Sequence, residues 1–362
     1  MRAILYLVLK VLVTGVGGGG HGEQIVKSLR MSLHKYQLLG ADCNEQAIDP
    51  TIFSKKFILP RADDKTYLEK LHEIVTKNQV DVLFHGSEPE LLKISENISE
   101  FEKLNCFVPV NSIAHVKLCM DKYNLMKILE KKGFNPPRTK MYSPNNNSLS
   151  EVDFYPVVVK PSTNSGGSND VFIAQNENQL KNIIAFLNLE YRHDLHFILQ
   201  EYVGNKNGEF TVGVLNDSKG NYINSIALRR DLTSQLSVKM RVRNVSQKIN
   251  EFGEDLVISS GVSQGEINNF QEIRDFSQKI VQSLGLRYSV NLQMRKVDEG
   301  YKIFEINPRF SGTTSIRALV GYNEPDVLIR KEVLNEEIKV NFKYDYGIVS
   351  RSISERIVSR II

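Results

Sequence analysis

Glu305 and Asn307 stand two apart in YKIFEINPRF, residues 301–310, a β-like run that ends in Pro308 and Arg309. Side chains two apart on a strand face the same way, so a carboxylate and an amide oxygen share one face. The run RYSVNLQMRKV precedes it through Asp298, Glu299 and Gly300, a three-residue loop with a turn-forming glycine, and the two runs read as an antiparallel hairpin. With Val297 facing Tyr301, Gln293 faces Glu305 and Asn291 faces Asn307. Opposed residues have Cβ atoms about 5 Å apart, which gathers Gln293, Glu305 and Asn307 together. Such oxygen donors suit Mg²⁺, which keeps coordination positions open for substrate phosphates. The competing structural reading is the polar outer face of an edge hairpin.

Lys160 ends an apolar strand, VVVK, and PSTNSGGSND follows it. A lysine at a strand end and a small polar loop suit phosphate. The ammonium neutralises charge, and backbone N–H groups around Ser165, Gly166 and Gly167 can cradle oxygens. A solvated loop end is the bland reading of the same residues. Further on, ILQEYV carries Gln200, Glu201, Tyr202 and Val203, and NGEFTVGV brings Glu209. Adenine needs backbone amide groups and an apolar slot, which ILQEYV supplies; ribose hydroxyls need a carboxylate acceptor, which Glu201 or Glu209 supplies. An edge strand with an exposed Gln-Glu pair explains the segment equally well.

These groups need elements to hold them. From residue 11 to about 115, strand-like and helix-like stretches alternate: VLVTG, a glycine turn, a helix from Gln24 to Ser32, the strand YQLLGAD, a helix near 66–77 and the strand DVLFHG. Such alternation predicts a parallel sheet. The amphipathic stretch Asp121–Lys132 stops at Gly133, with Pro136 and Pro137 beyond. Residues 143–153 read as a polar surface loop, and FYPVVVKPS and ILQEYV as strands. A hairpin turning at Lys219 and Gly220 and a helix over 266–284 precede the metal hairpin. The expected fold class is α/β: a parallel α/β domain followed by two mixed α+β units.

A chain of 362 residues exceeds one small core. Its 46 basic and 42 acidic residues are nearly balanced without a long basic run, so no nucleic-acid partner is expected. Cys43, Cys106 and Cys119 lack CxxC or Cys/His spacing, which argues against a disulfide framework or a zinc site. They fit a reducing compartment, the cytoplasm, as three small buried residues. The opening MRAILYLVLKVLVTG is interrupted by Arg2 and Lys10 and falls short of the roughly 20 residues of a membrane span. Neither a membrane anchor nor a signal peptide is expected.

The ordered set Lys122 (in MDKYNLMKILEKKG), Lys160 with its loop, ILQEYV, Glu209, Gln293 and FEINPR resembles the ATP-grasp superfamily. The likeness is to the ATP-binding halves of carbamoyl-phosphate synthase large subunits and related carboxylate-amine ligases, and it spans roughly residues 11–330. It implies a Rossmann-like leading domain (1–117), a first ATP-grasp subdomain with a glycine-rich lid (118–200) and a second with the metal hairpin (201–362). It also implies Lys122 and Lys160 on the ATP phosphates, Gln200 to Val203 on adenine, and Glu201 and Glu209 on adenosine, Glu209 at the ribose. Gln293, Glu305 and Asn307 would hold Mg²⁺, or Mn²⁺ in its place, and Arg309 would stabilise the transferred phosphate.

The implied reaction has two steps: a carboxylate attacks the γ-phosphate of ATP, and an amine then displaces phosphate from the acyl phosphate. Such transfer needs positioning and charge neutralisation more than covalent help. Arg230, at a strand end in ALRRD, is the expected second clamp. Arg229 or Arg241 could substitute, because alternation turns only one of an adjacent pair inward. Ser311, ahead of a helical stretch, is placed to hold acyl phosphate or substrate. The partners implied are a small-molecule carboxylate and an amine, and a homodimer through the leading domain.

Gly15, Gly17 and Gly20 in TGVGGGGHG satisfy GxGxxG after a strand, with Asp42 at the next strand end. That is the dinucleotide fingerprint, and alone it would indicate an NAD(P)-dependent oxidoreductase. ATP-grasp relatives carry a similar turn that binds no dinucleotide and lines the substrate side. His21, His85, Ser87 and Glu88, at strand ends, are candidates for the variable substrate; Ser87 with Glu90 equally fits a helix cap. Carbamoyl-phosphate synthases carry arginine where this chain has Lys122 and Lys160, and one ATP-grasp unit without glutaminase or allosteric domains is expected, so the broader ligases are favoured. A third reading is a nucleotide-binding protein without catalysis, against which Lys160, Glu305, Asn307 and Arg309 stand intact.

Overall fold

A computed structural model describes residues 8–142, 149, 152–163, 170–191, 196–246 and 248–353. Val11 to Thr14 is an unbroken buried run, the mark of a strand covered on both faces. It forms β1 (Lys10–Thr14), which sits inside a parallel sheet with β2 (Gln37–Asp42), β3 (Lys55–Ile58) and β4 (Val82–Phe84), ordered β3-β2-β1-β4. Leu12 packs on one side with Leu71 and Leu91 of helices Tyr67–Asn78 and Glu88–Glu96. Val11 and Val13 pack on the other with Ile25 and Leu29 of helix His21–Arg30, and with Ile226, Phe310, Tyr322 and Leu328 from far along the chain. Apolar burial of this kind is worth about 1.5–3 kcal/mol per large side chain. It fastens the leading sheet to the C-terminal half. The helix starts at His21, three residues earlier than expected, because Gly20 is already extended and serves as its N-cap.

Two larger antiparallel sheets and a two-stranded ribbon follow. β5 (Thr139–Tyr142), β6 (Val157–Pro161), β7 (Phe172–Ala174) and β8 (Phe197–Glu201) are ordered β5-β8-β6-β7. β8 therefore lies inside its sheet with Gln200 buried, and the edge-strand reading of the Gln-Glu pair does not hold. The remaining strands are β9 (Glu209–Asn216), β10 (Tyr222–Arg230), β11 (Val238–Arg243), β12 (Asp255–Ser259), β13 (Gly265–Ile267), β14 (Ser289–Val297), β15 (Gly300–Asn307) and β16 (Gly347–Val349). Six of them form a sheet ordered β15-β14-β9-β10-β13-β16, and β11 pairs with β12 as a separate ribbon. Helix Gln271–Leu284 is shorter than the expected 266–284 span, because residues 265–267 are taken by β13.

Alternation divides the faces of the large sheet. Phe210, Val212, Val214, Val290, Leu292 and Met294 bury against helices Lys122–Lys131 and Gln271–Leu284. Their neighbours Glu209, Thr211, Asn291, Gln293 and Arg295 turn to the opposite face, where they line a cavity. All three cysteines are free, but only Cys106 and Cys119 are buried; Cys43 is exposed just past the end of β2, against expectation. No helix among the described residues is long and apolar enough to cross a membrane. The expected loop at 143–153 lies largely outside the described residues.

Candidate active site

The hairpin expected to hold the metal forms by a route the sequence does not show. Gly300 pairs with Val297, so the turn is Asp298 and Glu299 alone, and the register beside it is one residue away from expectation. Continued unbroken, that register would set Phe304 against Gln293 and turn Glu305 to the wrong face. A β-bulge intervenes: Met294 pairs with Ile303 and Gln293 with Glu305, leaving Phe304 over. Asn291 then faces Asn307 as expected. The bulge also explains how Ile303 and Ile306, three apart, reach the same core. Lys160 Nζ reaches the Phe304 carbonyl at 3.4 Å, and lies 5.6 Å from the centre of the Phe304 ring.

Asn307 Nδ2 donates to Glu305 Oε1 at 3.1 Å, which leaves the Asn307 carbonyl oxygen and Glu305 Oε2 as donors beside Gln293. One carboxylate with amide oxygens fits a hard cation that keeps most of its coordination for phosphates and water. Burial works to raise the Glu305 carboxyl, but Lys122, Lys160, Asn307 and Arg309 outweigh it and hold it below the ordinary carboxylate range. Burial pushes the Lys160 ammonium down to about 7; Glu305 opposes that and Lys122 adds to it.

One cavity of about 470 Å³ gathers Lys122, Lys160, Gln200, Glu201, Tyr202, Val203, Glu209, Arg230, Gln293, Glu305, Arg309 and Ser311 on its walls. Asn307 lines a small pocket that adjoins it through Lys122, Glu305 and Arg309. Ser165, Gly166 and Gly167 lie outside the described residues. The two carboxylates expected at the ribose are already engaged. Glu201 accepts from Lys302 Nζ at 2.9 Å and Arg138 at 3.3 Å. Glu209 is fully buried between Arg230 at 3.2 Å and Arg295 at 2.8 Å. Arg295 goes on to the carbonyls of Val203 and Val257 and lies 4.7 Å from the Tyr202 ring centre. It escaped sequence reading because a lone arginine in an alternating strand looks like a solvent-facing residue.

Arg230 is the inward member of its pair, bonded through Nη2 to the Ser260 and Val262 carbonyls at 2.9 Å. Arg229 pairs with Glu266 at the surface and Arg241 pairs with Asp255 at 3.4 Å, and neither lines the cavity. Gly18, Gly19, Gly20, His21, Glu88, Ser311 and Thr313 also line the cavity. Gly18 and Gly19 hold φ of 70° and 76°, a left-handed turn that a side chain would strain. Burial, Arg309 and His85 together hold the His21 imidazole well below its ordinary range, so it is neutral at pH 7. Glu88 accepts from Arg309 Nη2 at 2.7 Å.

His85 and Ser87 stand off the cavity wall. Ser87 caps helix Glu88–Glu96 by accepting from Glu90 N, with its hydroxyl on the Glu90 carboxylate. The cap reading therefore describes Ser87. His85 is buried behind it, against the Ser87 carbonyl at 3.2 Å.

A parallel α/β domain leads into two antiparallel-sheet units whose strands contribute to one cavity: this is the ATP-grasp architecture. The chain belongs to the ATP-grasp superfamily: residues 119–232 match the family described as a RimK-like ATP-grasp domain, and residues 194–354 the one described as ATP-grasp in the biosynthetic pathway with Ter operon. Residues 11–109 match the PylC-like N-terminal domain. The chain is 22% identical to the carbamoyl phosphate synthase large chain of Thermoplasma volcanium over 85% of its own length but only 29% of that protein's. Among solved structures, N5-carboxyaminoimidazole synthetase from Staphylococcus aureus superposes with a TM-score of 0.63 at 13% identity, over 93% of this chain and 80% of that one. D-alanine–D-alanine ligase from Bacillus anthracis, solved with ATP, gives a TM-score of 0.56 at 15% identity, over 91% and 97%.

Proposed function

We propose that the protein is an ATP- and Mg²⁺-dependent ligase that activates a small-molecule carboxylate as an acyl phosphate and joins it to an amine. The observation that carries this reading is the meeting of Gln293, Glu305 and Asn307 with Lys122, Lys160, Arg230 and Arg309 around one connected cavity whose other wall is Gln200 to Val203. In the first step a carboxylate oxygen attacks Pγ, the bond from Pγ to the bridging oxygen breaks, and ADP leaves. In the second the amine nitrogen attacks the acyl carbon, the C–O bond to phosphate breaks, and the nitrogen gives up a proton. Mg²⁺ bound at Glu305, Asn307 and Gln293 would neutralise phosphate charge. Lys160 and Lys122 position the phosphates, and Arg309 and Arg230 supply fixed positive charge where the transferred group carries its negative charge.

The glycine turn supports the same reading over the nicotinamide one. Asp42 Oδ2 accepts from Gly17 N at 3.0 Å, so the carboxylate a dinucleotide ribose would need is spent on the turn itself. Gly18 to His21 open instead on the cavity that holds Glu305. The test is calorimetric titration with MgATP beside NADH and NADPH, followed by ADP release from carboxylate and amine pairs. MgATP alone is expected to bind, and Glu305→Gln should abolish ADP release while the protein stays folded. Normal turnover in Glu305→Gln, or tight NADH binding instead, overturns the reading.

A further inference from the structure

The largest fully buried side chain in the described structure is Arg317, on helix Thr314–Leu319, and it plays no part in the steps above. Its Nη1 lies 3.1 Å from both carboxylate oxygens of Glu324, which is wholly buried and also takes the Ser289 hydroxyl at 3.2 Å. Its Nη2 donates to Asn291 Oδ1 at 2.6 Å, where the Thr211 hydroxyl arrives at 2.8 Å. Space for the guanidinium exists only because residue 213 is glycine. A Cβ there would stand 2.3 Å from Arg317 Nη1, and Gly213 is the strand partner of Asn291.

Arginine can only donate, so the Asn291 atom facing Arg317 must be the oxygen. The amide nitrogen is therefore turned the other way. Asn291 is buried, lines the cavity opposite Asn307, and its Nδ2 donates to no group among the described residues. We propose that the Arg317–Glu324 pair is a positioning device acting through Asn291: it locks the amide so that both N–H groups face the cavity and take an anionic substrate oxygen. Glu324 holds the fork, the fork holds the amide, and the amide presents donors without needing charge. The acceptor this selects is an oxygen of the phosphoryl group in transfer or of the carboxylate receiving it, which rests on the ligase reading above.

Arg317→Lys tests the idea, because lysine keeps a charge against Glu324 but has no second arm for Asn291. The probe is MgADP with and without aluminium fluoride, which mimics a phosphoryl group in flight. Arg317→Lys should leave the affinity for MgADP alone unchanged, and Arg317→Lys and Asn291→Asp should each weaken the extra affinity gained with aluminium fluoride about tenfold. The double variant should be no worse than either single one. Additive losses, or an equal loss for MgADP alone in Arg317→Lys, overturn the positioning role. Should Arg317→Lys fail to fold, Arg317→Met with Glu324→Gln removes the pair without stranding a charge. A second readout needs no nucleotide: the Asn291 side-chain amide signals in ¹⁵N-asparagine-labelled protein, assigned with Asn291→Asp, must move when Arg317 is replaced. Unmoved signals overturn the contact even if the ligase reading stands, whereas moved signals in a protein that binds no MgADP uphold the contact and sink that reading.

Discussion

In the proposed assignment, the nucleotide end of the cavity draws its side chains mainly from strands paired in one sheet or its neighbour, so that Gln293, Glu305 and Glu209 are set by register. At the substrate end they meet from segments far apart: Glu88 and Arg309, 2.7 Å apart in space, are 221 residues apart in the chain. A site fixed by register tolerates no slip, since a single step moves a side chain to the other face. A site fixed by long-range contacts between loops and helix starts can exchange one residue without disturbing its neighbours. The two ends should therefore fail differently when perturbed.

The largest effect is expected at Glu209. Removing a carboxylate that neutralises two buried guanidinium groups leaves uncompensated charge, at about 3–5 kcal/mol, so Glu209→Ala should shift urea unfolding by that amount. Glu209→Gln should be milder because it keeps an acceptor for one arginine. These variants separate two roles for the carboxylate. A clamp between Arg230 and Arg295 predicts lost stability, whereas a ribose ligand predicts wild-type stability with weakened ATP binding, and the second result would reverse the assignment made from the ion pairs.

Next in size is the proton linkage at Lys160. With a folded pKa of about 7 against about 10.4 unfolded, the unfolded chain holds the extra proton between those values. The contribution of Lys160 to stability thus rises as pH climbs through that window and is absent below it. ATP phosphates favour the charged ammonium, so nucleotide binding should take up a proton near pH 8. Calorimetry in buffers of different ionisation enthalpy reads that uptake directly. It should vanish in Lys160→Met, and a buffer-independent enthalpy in the wild type would remove Lys160 from the phosphates.

What was legible in the sequence follows the same division. Strand alternation and the pairs Glu305/Asn307 and Gln293/Glu305 were readable because a period of two is a local property. Even there the turn was misread by one residue, and only the bulge at Phe304, for which the sequence carries no local sign, restored the face. Arg295 and the Arg317–Glu324 pair were illegible for a different reason. Their burial depends on partners 86 residues away at Glu209 for Arg295, and on an open space above Gly213 for Arg317. In sequence each looks like a surface charge. At Ser87 the sequence leaves two readings open, because a helix cap and a strand-end ligand use the same residue types in the same place; the structure shows the cap.

The smallest expected effect lies at the substrate end, in Glu88→Gln. The pair with Arg309 is partly open to solvent, Glu88 being 22% exposed, so its loss should amount to about 1 kcal/mol or less, roughly a fivefold change at most. That change should fall on the KM of the non-nucleotide substrate, because Glu88 restrains the arginine that the proposed mechanism directs at the transferred group and touches no described part of the proposed adenine wall. ATP affinity and melting temperature should stay at wild-type values. If Glu88→Gln instead weakened ATP binding and left substrate KM alone, the two ends would not be separable, and the division of the cavity into a register-built half and a contact-built half would fail at the residue where it is easiest to see.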